Sequence, residues 1–248
     1  MDLARLQAAA GSLGVPLDDS QADRLIRYVA LLERWNAKFN LISRQDIARI
    51  WPRHILDSLS IAPLLTTNPA SPEKTQLGLT ALDIGTGAGL PGLPLAIALP
   101  AFSWRLIDRN QRKVRFLETV ISQIGLENVT ARAIDLGAES DDEFLRAADF
   151  VVSRAVDEPA RLLPMAEPLL KPAGRLVLMT AVDKGGPDYS AGDGDDSDET
   201  DSETLKRPME LPAGCGFIVT EVRELTIPGL DRIHEATIID RERPTPGA

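Results

Sequence analysis

The run Leu82-Asp83-Ile84-Gly85-Thr86-Gly87-Ala88-Gly89-Leu90-Pro91-Gly92 gathers the residue types that could hold a small ligand. It reads as a buried strand, a glycine loop and the start of a helix, with an acid two residues ahead of the first glycine. Glycines let the backbone turn tightly and approach a ligand where a Cβ would clash. Pro91 suits the first turn of a helix, where its missing N–H costs nothing. Asp83, at the strand tip, can accept hydrogen bonds from a cationic or hydroxylic group. The set suits S-adenosylmethionine, which carries an amine, a sulfonium and a ribose but no pyrophosphate. Residues 87–92 also match G-x-G-x-x-G, the dinucleotide pattern. In that fold the first glycine follows the strand directly and the helix N-terminus faces a pyrophosphate. Here Gly85 and an acid occupy that junction, and the acid would oppose a pyrophosphate, so the methyl donor is favoured. A glycine-rich turn without a ligand is the remaining alternative.

Those residues need a frame. From residue 79 the chain alternates strand and helix: strands at 79–84, 103–107, 129–133, 150–153 and 175–180, with helices at 91–99, 111–124, around 142–147 and 158–170 between them. Two late runs, 217–225 and 235–239, look like an antiparallel pair. This alternation argues an α/β fold with a parallel sheet covered on both faces. Residues 1–65 read as a helical region, with Leu25, Val29, Leu32 and Trp35 at helical spacing, Asp18 or Asp19 as a cap, and a further helix from Pro52 to Leu65. Residues 66–78 form a linker, 79–240 the ligand-binding domain and 241–248 a tail.

Open sheets of this kind bind ligands beyond the carboxyl ends of their strands. Asp108 ends the second strand, where it can accept both ribose hydroxyls or cap the next helix. Ala133 and Ile134 end the third, where a backbone N–H and an apolar wall can hold an adenine; Asp135 could take the adenine amino group. Ser153-Arg154-Ala155 ends the fourth, where a transferred group would lie. An arginine there needs a partner: the donor carboxylate, an RNA phosphate, a guanine edge, or simply a structural ion pair.

Composition narrows the classes. The hydrophobic fraction of 44% over 248 residues supplies a sizeable core. A single cysteine, Cys215, excludes an internal disulfide and fits a reducing cytoplasm. One cysteine and two histidines make a His/Cys metal cage untenable, and no metal site is expected. The first residues lack a signal-peptide layout. Residues 84–104 are uncharged, but their four glycines and three prolines argue against a membrane span. The net charge of −10 is uneven: residues 183–204 hold nine acids and one base, leaving −2 for the rest. That segment is expected to be a disordered surface insertion, since it is too poor in apolar groups to offset its ordering entropy. It lacks the EF-hand spacing of a calcium loop. Elsewhere Arg105, Arg109, Arg112, Lys113 and Arg115 oppose only Asp108, a basic stretch beside the same crevice that could meet RNA phosphates.

The pieces Leu32-Glu33-Arg34-Trp35-Asn36-Ala37-Lys38-Phe39-Asn40-Leu41 and Arg53-His54-Ile55-Leu56-Asp57-Ser58-Leu59, the glycine run continued to Ala96, and Ser153-Arg154-Ala155 together closely resemble the ribosomal RNA small subunit methyltransferase G family, also called glucose-inhibited division protein B (GidB). The resemblance covers about residues 20–180 and, more loosely, 217–240. It implies a Rossmann-like class I S-adenosylmethionine-dependent methyltransferase with a small helical N-terminal part. It implies methylation of N7 of a guanosine in the 530 loop of 16S rRNA, in the cytoplasm, by a monomer whose partner is 16S rRNA or the small ribosomal subunit. Carried over by motif, Asp83, Gly85, Gly87, Gly89, Leu90, Asp108, Ala133, Ile134 and Arg154 would form the donor site, with Arg154 at the reacting end as the catalytic group. Asn40, His54, Arg132 and Arg232 would meet the substrate. Two features depart from the family. An acid often stands where Ile134 does, so the backbone must serve there. The fifth strand usually ends in Lys-Gly, whereas Thr180-Ala181 stands here and only a shifted Lys184-Gly185 could supply the lysine.

Guanine N7 has an exposed lone pair and no proton, so its methylation needs in-line approach rather than a general base. The absence of an obvious His or Cys nucleophile fits this, leaving positioning and electrostatics, with Arg154 against guanine O6 or a nearby phosphate. His54 could orient RNA or be a satisfied core residue; Asp57 could pair with it or cap locally. Two other classes stay open: a small-molecule methyltransferase, and a non-catalytic ribosome-assembly RNA binder.

Overall fold

A computed structural model describes residues 1–66, 78–136, 144–154, 159–182, 210–231 and 233–242. The acidic segment 183–204, Lys184-Gly185, most of the linker and Arg232 lie outside them.

The N-terminal region is helical: α1 (Leu3–Ser12), α2 (Asp19–Phe39), α3 (Arg44–Ile47), a wide π-type turn over Trp51–Leu56, α4 (Asp57–Ser60) and α5 (Ala62–Thr66). Asp18 caps α2, accepting from the Gln21 amide while Gln21 reaches back to the Asp18 amide. The apolar stripe Leu25, Val29, Leu32 is buried against the rest of the chain. The single helix expected from Pro52 to Leu65 is instead broken in three. Pro63 has no amide to carry the ladder back to Leu59, so the chain closes at Ile61, whose carbonyl accepts from the Leu64 amide, and restarts as α5.

The remainder is α/β: β1 (Thr80–Ile84), α6 (Gly92–Ala98), β2 (Ser103–Asp108), α7 (Gln111–Ile124), β3 (Val129–Ala133), β4 (Ala148–Arg154), α8 (Pro159–Ala166), β5 (Leu170–Val182), β6 (Phe217–Leu225) and β7 (Ile233–Arg241). One seven-stranded sheet has the order β3-β2-β1-β4-β5-β7-β6. Strands β1 to β5 are parallel, while β7 runs antiparallel to both β5 and β6. The central strands read as continuous apolar runs because both faces are covered; every β4 residue from Ala148 to Ser153 is buried. Strand β5 starts at Leu170, five residues earlier than expected. There Leu170 pairs with Ala148 ahead of a bulge, and a Cβ on Gly174 would lie 2.7 Å from the Ala148 carbonyl oxygen. The expected 158–170 helix ends at Ala166, passing through a tight turn at Glu167–Leu169. Of the short helix expected near 142–147, only 144–147 are described, as a turn.

Two apolar clusters sandwich the sheet. The larger joins the N-terminal helices to α6, α7 and one sheet face; the smaller packs α8 on the other. Among the described residues no helix is long and apolar enough to cross a membrane.

Candidate active site

The sheet order reverses between β1 and β4, and the carboxyl ends of these strands open a crevice of about 330 Å³. Its walls include Gly85, Asp108, Ile134, Ser153 and Arg154. The glycines leading into it have different tasks. Gly85 (φ +69°) faces open space where a Cβ would stand, so its backbone lies bare toward the crevice. A Cβ on Gly89 (φ +94°) would come within 2.5 Å of Leu93 Cδ1, and one on Gly92 within 2.2 Å of Leu106 Cδ2. These two glycines serve packing, and neither they nor Gly87, Leu90 and Ala133 are among the crevice walls. Leu90 is buried in the larger cluster.

Asp83 does not face the crevice as expected. Fully buried, it accepts from Thr86 Oγ1 at 2.6 Å and from the Gly92 amide at 2.8 Å. The acid therefore folds the loop, and it occupies the α6 N-terminal amide that a pyrophosphate would need. The dinucleotide alternative thus fails on a different ground from the charge repulsion anticipated. Burial raises the Asp83 carboxyl to about 7, against the lowering effect of those two bonds. Its Oδ1 has no hydrogen-bond partner among the described residues.

The acid that reaches the crevice is Asp108. Its Oδ2 accepts from the Gly87 amide (2.9 Å) and its Oδ1 from the Asn110 amide (2.8 Å). Each oxygen keeps a lone pair for a ribose hydroxyl, whereas the cap of α7 is Asn110, whose side chain accepts from the Arg112 amide. Lys113 Nζ stands 3.6 Å away. Ile107, Ile134, Leu136 and Leu162 supply an apolar wall. The Ile134 amide, expected to be available to an adenine, donates instead to the Asp108 carbonyl at 3.2 Å because the β2–β3 ladder extends by one rung. Only the Ile134 side chain is offered, with Asp135 beside it. A bare glycine backbone, an acid with spare lone pairs and an apolar slot fit a nucleoside with a charged tail.

A second crevice of about 260 Å³ adjoins the first, and Arg154 lines both. Its other walls include Asp46, Arg49, Arg53, His54, Asp57, Thr180 and His234. Arg154 Nη1 lies 3.0 Å from His54 Nδ1 and 3.6 Å from Asp57 Oδ2. Because arginine only donates, His54 Nδ1 accepts and its proton sits on Nε2. Burial, and then the Arg154 charge, lowers His54 to about 4, so the ring is neutral. Asp57, which could have paired with His54, instead binds His234 Nδ1 at 2.6 Å. This contact ties the helical region to β7 across the mouth of the crevice.

Of the residues expected to meet the substrate, the structure therefore brings His54 to Arg154. Asn40 is exposed in a left-handed cap at the end of α2 and lines a separate shallow hollow. Arg132 is exposed on the sheet-edge strand β3 and belongs to neither crevice. Arg232 lies outside the described residues. Asp46 and His234 were not anticipated: a lone aspartate on a four-residue helix and a histidine within a strand carry no motif. Nor was Tyr28, whose buried hydroxyl donates to the Ala88 carbonyl at 2.8 Å and fastens α2 to the glycine loop.

Comparison with known proteins adds the following. A family model described as rRNA small subunit methyltransferase G matches residues 21–185. The ribosomal RNA small subunit methyltransferase G of Stenotrophomonas maltophilia (strain K279a) is 36% identical over 227 residues, covering 92% of this chain and 89% of that protein. The protein of the same name from Sorangium cellulosum (strain So ce56) is 38% identical over 168 residues, 68% of this chain and 67% of that one. Among solved structures, a SAM dependent methyltransferase from Aquifex aeolicus superposes with a TM-score of 0.52 at 16% identity, over 80% of this chain and 99% of that chain, a likeness of fold.

Proposed function

The chain belongs to the ribosomal RNA small subunit methyltransferase G family, and from that premise we propose that it methylates N7 of a guanosine in the 530 loop of 16S rRNA, with S-adenosylmethionine as donor. The observation that carries this reading is the meeting of two crevices at Arg154. One suits a nucleoside with a charged tail; the other is polar and large enough for a base.

S-adenosylmethionine, when bound, supplies an electrophilic methyl on a sulfonium. Asp108 would hold ribose hydroxyls with its spare lone pairs, and Ile107, Ile134 and Leu162 would enclose the adenine. Gly85 lets the tail lie close to the β1 tip. Arg154, held by His54 where the two crevices meet, would bind guanine O6 with its remaining N–H groups and so position N7 toward the donor crevice. No residue is asked to take a proton, because N7 carries none. The neutral His54 suits this: it is an acceptor that positions the guanidinium. Lys113 and Arg109 at the crevice rim, with Arg112 and Arg115 further along α7, hold the RNA backbone. The same reading makes the site of action cytoplasmic and the partner 16S rRNA or the small subunit.

Methyl transfer from labelled S-adenosylmethionine to small-subunit particles and to naked rRNA, with the modified nucleoside identified, tests the proposal. Label in N7-methylguanosine is the expected result. Donor turnover without RNA would favour a small-molecule acceptor, and RNA binding without transfer a non-catalytic binder; either would overturn the reading.

A further inference from the structure

The second crevice contains a carboxylate that the chemistry above does not use. Asp46, on α3, has a side chain 16% exposed, and its Oδ1 forms an ion pair with Arg53, 2.9 Å from Nε. Its Oδ2 makes no hydrogen bond among the described residues. His54 Nε2–H stands 3.7 Å from it, beyond hydrogen-bond range. His54 is itself only 6% exposed, and its Nε2 is one of three buried side-chain polar atoms without a partner among the described residues. A buried donor and a carboxylate oxygen that face each other without bonding form a site whose polar balance is unfinished. The other carboxylate on this wall, Asp57, is 2% exposed and already engaged by His234 and Arg154.

From this we infer that Asp46 is the residue that reads the base as guanine, an inference that rests on the proposed rRNA guanosine reaction. If Arg154 holds O6 of the base with N7 at the seam, the Watson–Crick edge that adjoins O6 lies along the part of the crevice where Asp46 stands, one imidazole ring from Arg154. That edge of guanine presents N1–H and N2–H₂ side by side, a pair that the two oxygens of one carboxylate accept together. Adenine presents a bare N1 acceptor at the same place, and the Asp46 carboxylate repels it. Arg53 stays paired with the carboxylate through Oδ1. The His54 Nε2–H behind it gains an acceptor once the base draws the carboxylate into position. Discrimination of this kind is large because the wrong base leaves a buried polar group unpaired. His54 thus acts on both crevices, through Nδ1 on Arg154 and through Nε2 on Asp46.

The test compares small-subunit particles reconstituted with guanosine or with inosine at the target position. Inosine keeps N7, O6 and N1–H but lacks the 2-amino group. The wild-type enzyme is expected to favour guanosine by about tenfold in kcat/KM, the size of one charge-assisted hydrogen bond in a desolvated pocket. Asp46→Ala is expected to lower kcat/KM on guanosine and bring the guanosine-to-inosine ratio to about one. Its Kd for S-adenosylmethionine, measured by calorimetry, should match wild type and shows that the variant is folded. Equal losses on both substrates, down to no transfer on either, would make Asp46 a support of the crevice wall and overturn the inference. So would a wild-type enzyme that does not distinguish the two bases. Absence of transfer by the wild type to guanosine particles would overturn the underlying reaction, and is told apart because it precedes any comparison of bases.

Discussion

Adding one methyl group at Gly85 and at Gly89 should separate binding from folding within five residues of chain. Both have positive φ, so an alanine at either pays about 1–2 kcal/mol of backbone strain. At Gly85 the new Cβ meets nothing within 4 Å and enters the donor crevice. At Gly89 it meets Leu93 Cδ1 at 2.5 Å, Leu93 Cγ at 2.8 Å and Leu117 Cδ2 at 2.9 Å, all buried side chains of α6 and α7. Overpacking of that kind adds about 1–3 kcal/mol. Gly85→Ala should therefore lose about 1–2 kcal/mol in stability and at least roughly tenfold in donor affinity, since a methyl group now fills space the donor needs. Gly89→Ala should lose about 2–5 kcal/mol in stability, while the fraction that stays folded keeps near-normal affinity. Urea unfolding gives the first quantity and calorimetric titration with S-adenosylmethionine the second. If Gly85→Ala bound the donor as wild type does, the crevice at the β1 tip would not be the donor site. If the two variants were equally stable, the packing argument at Gly89 would be wrong.

Three further outcomes follow from the same geometry. Arg154→Lys keeps the charge but not the planar fork that reaches His54 from the place where the two crevices meet. Its kcat/KM for RNA should fall by on the order of a hundredfold in methyl-transfer assays, and activity within a few-fold of wild type would remove Arg154 from the reacting end. Tyr28→Phe deletes the bond to the Ala88 carbonyl and leaves a buried acceptor unmet; a loss of about 1–2 kcal/mol in urea unfolding is expected, and no loss would mean that α2 does not hold the glycine loop. The pH dependence has two opposing parts. His54, lowered from 6.5 to about 4, contributes stability that is full above pH 6.5 and lost as pH falls toward 4. Asp83, raised from 3.8 to about 7, contributes stability that is full below pH 3.8 and lost as pH rises through 7. His54→Gln keeps an acceptor for Arg154 and removes the first part. Its urea midpoint should rise between about pH 7 and pH 5 while the wild-type midpoint stays nearly level, and a midpoint that falls on acidification would refute a protonated Asp83.

Most of the sheet was legible because its strands are bounded by residues with strong local preferences. Central strands such as Phe150–Ser153 are unbroken apolar runs, and Asn110 and Gly125 mark the two ends of α7, as side-chain cap and left-handed terminus. Misreadings fell where a proline or glycine acts through a distant partner. Pro172 and Gly174 are residue types that usually interrupt a strand, yet both sit in β5, where Gly174 clears the backbone of Ala148 one strand away. The break at Ile61 likewise depends on Pro63, which a pattern of apolar spacing passes over.

The crevice residues divide along the same line. Gly85, Asp108 and Arg154 were visible because each ends a strand or follows one, and the topology sends every such end to one place. Asp83 shows the limit of that reasoning: its position was right and its direction was not. A carboxylate at a strand tip can face a ligand or turn inward, and Thr86 and the Gly92 amide, three and nine residues on, decide the matter. The second crevice was harder to see because its walls come from four separate stretches of chain: Asp46 to Asp57, Arg154, Thr180 and His234. No local rule relates them. What joins them is the burial of charge, since Arg154, set at the end of a strand packed on both faces, must find partners, and His54 and Asp57 are within reach. His54 then has a second nitrogen to satisfy, and that need points to Asp46. A chain of unmet polar groups, followed outward from one arginine, therefore leads from the donor crevice to the wall that would face the base.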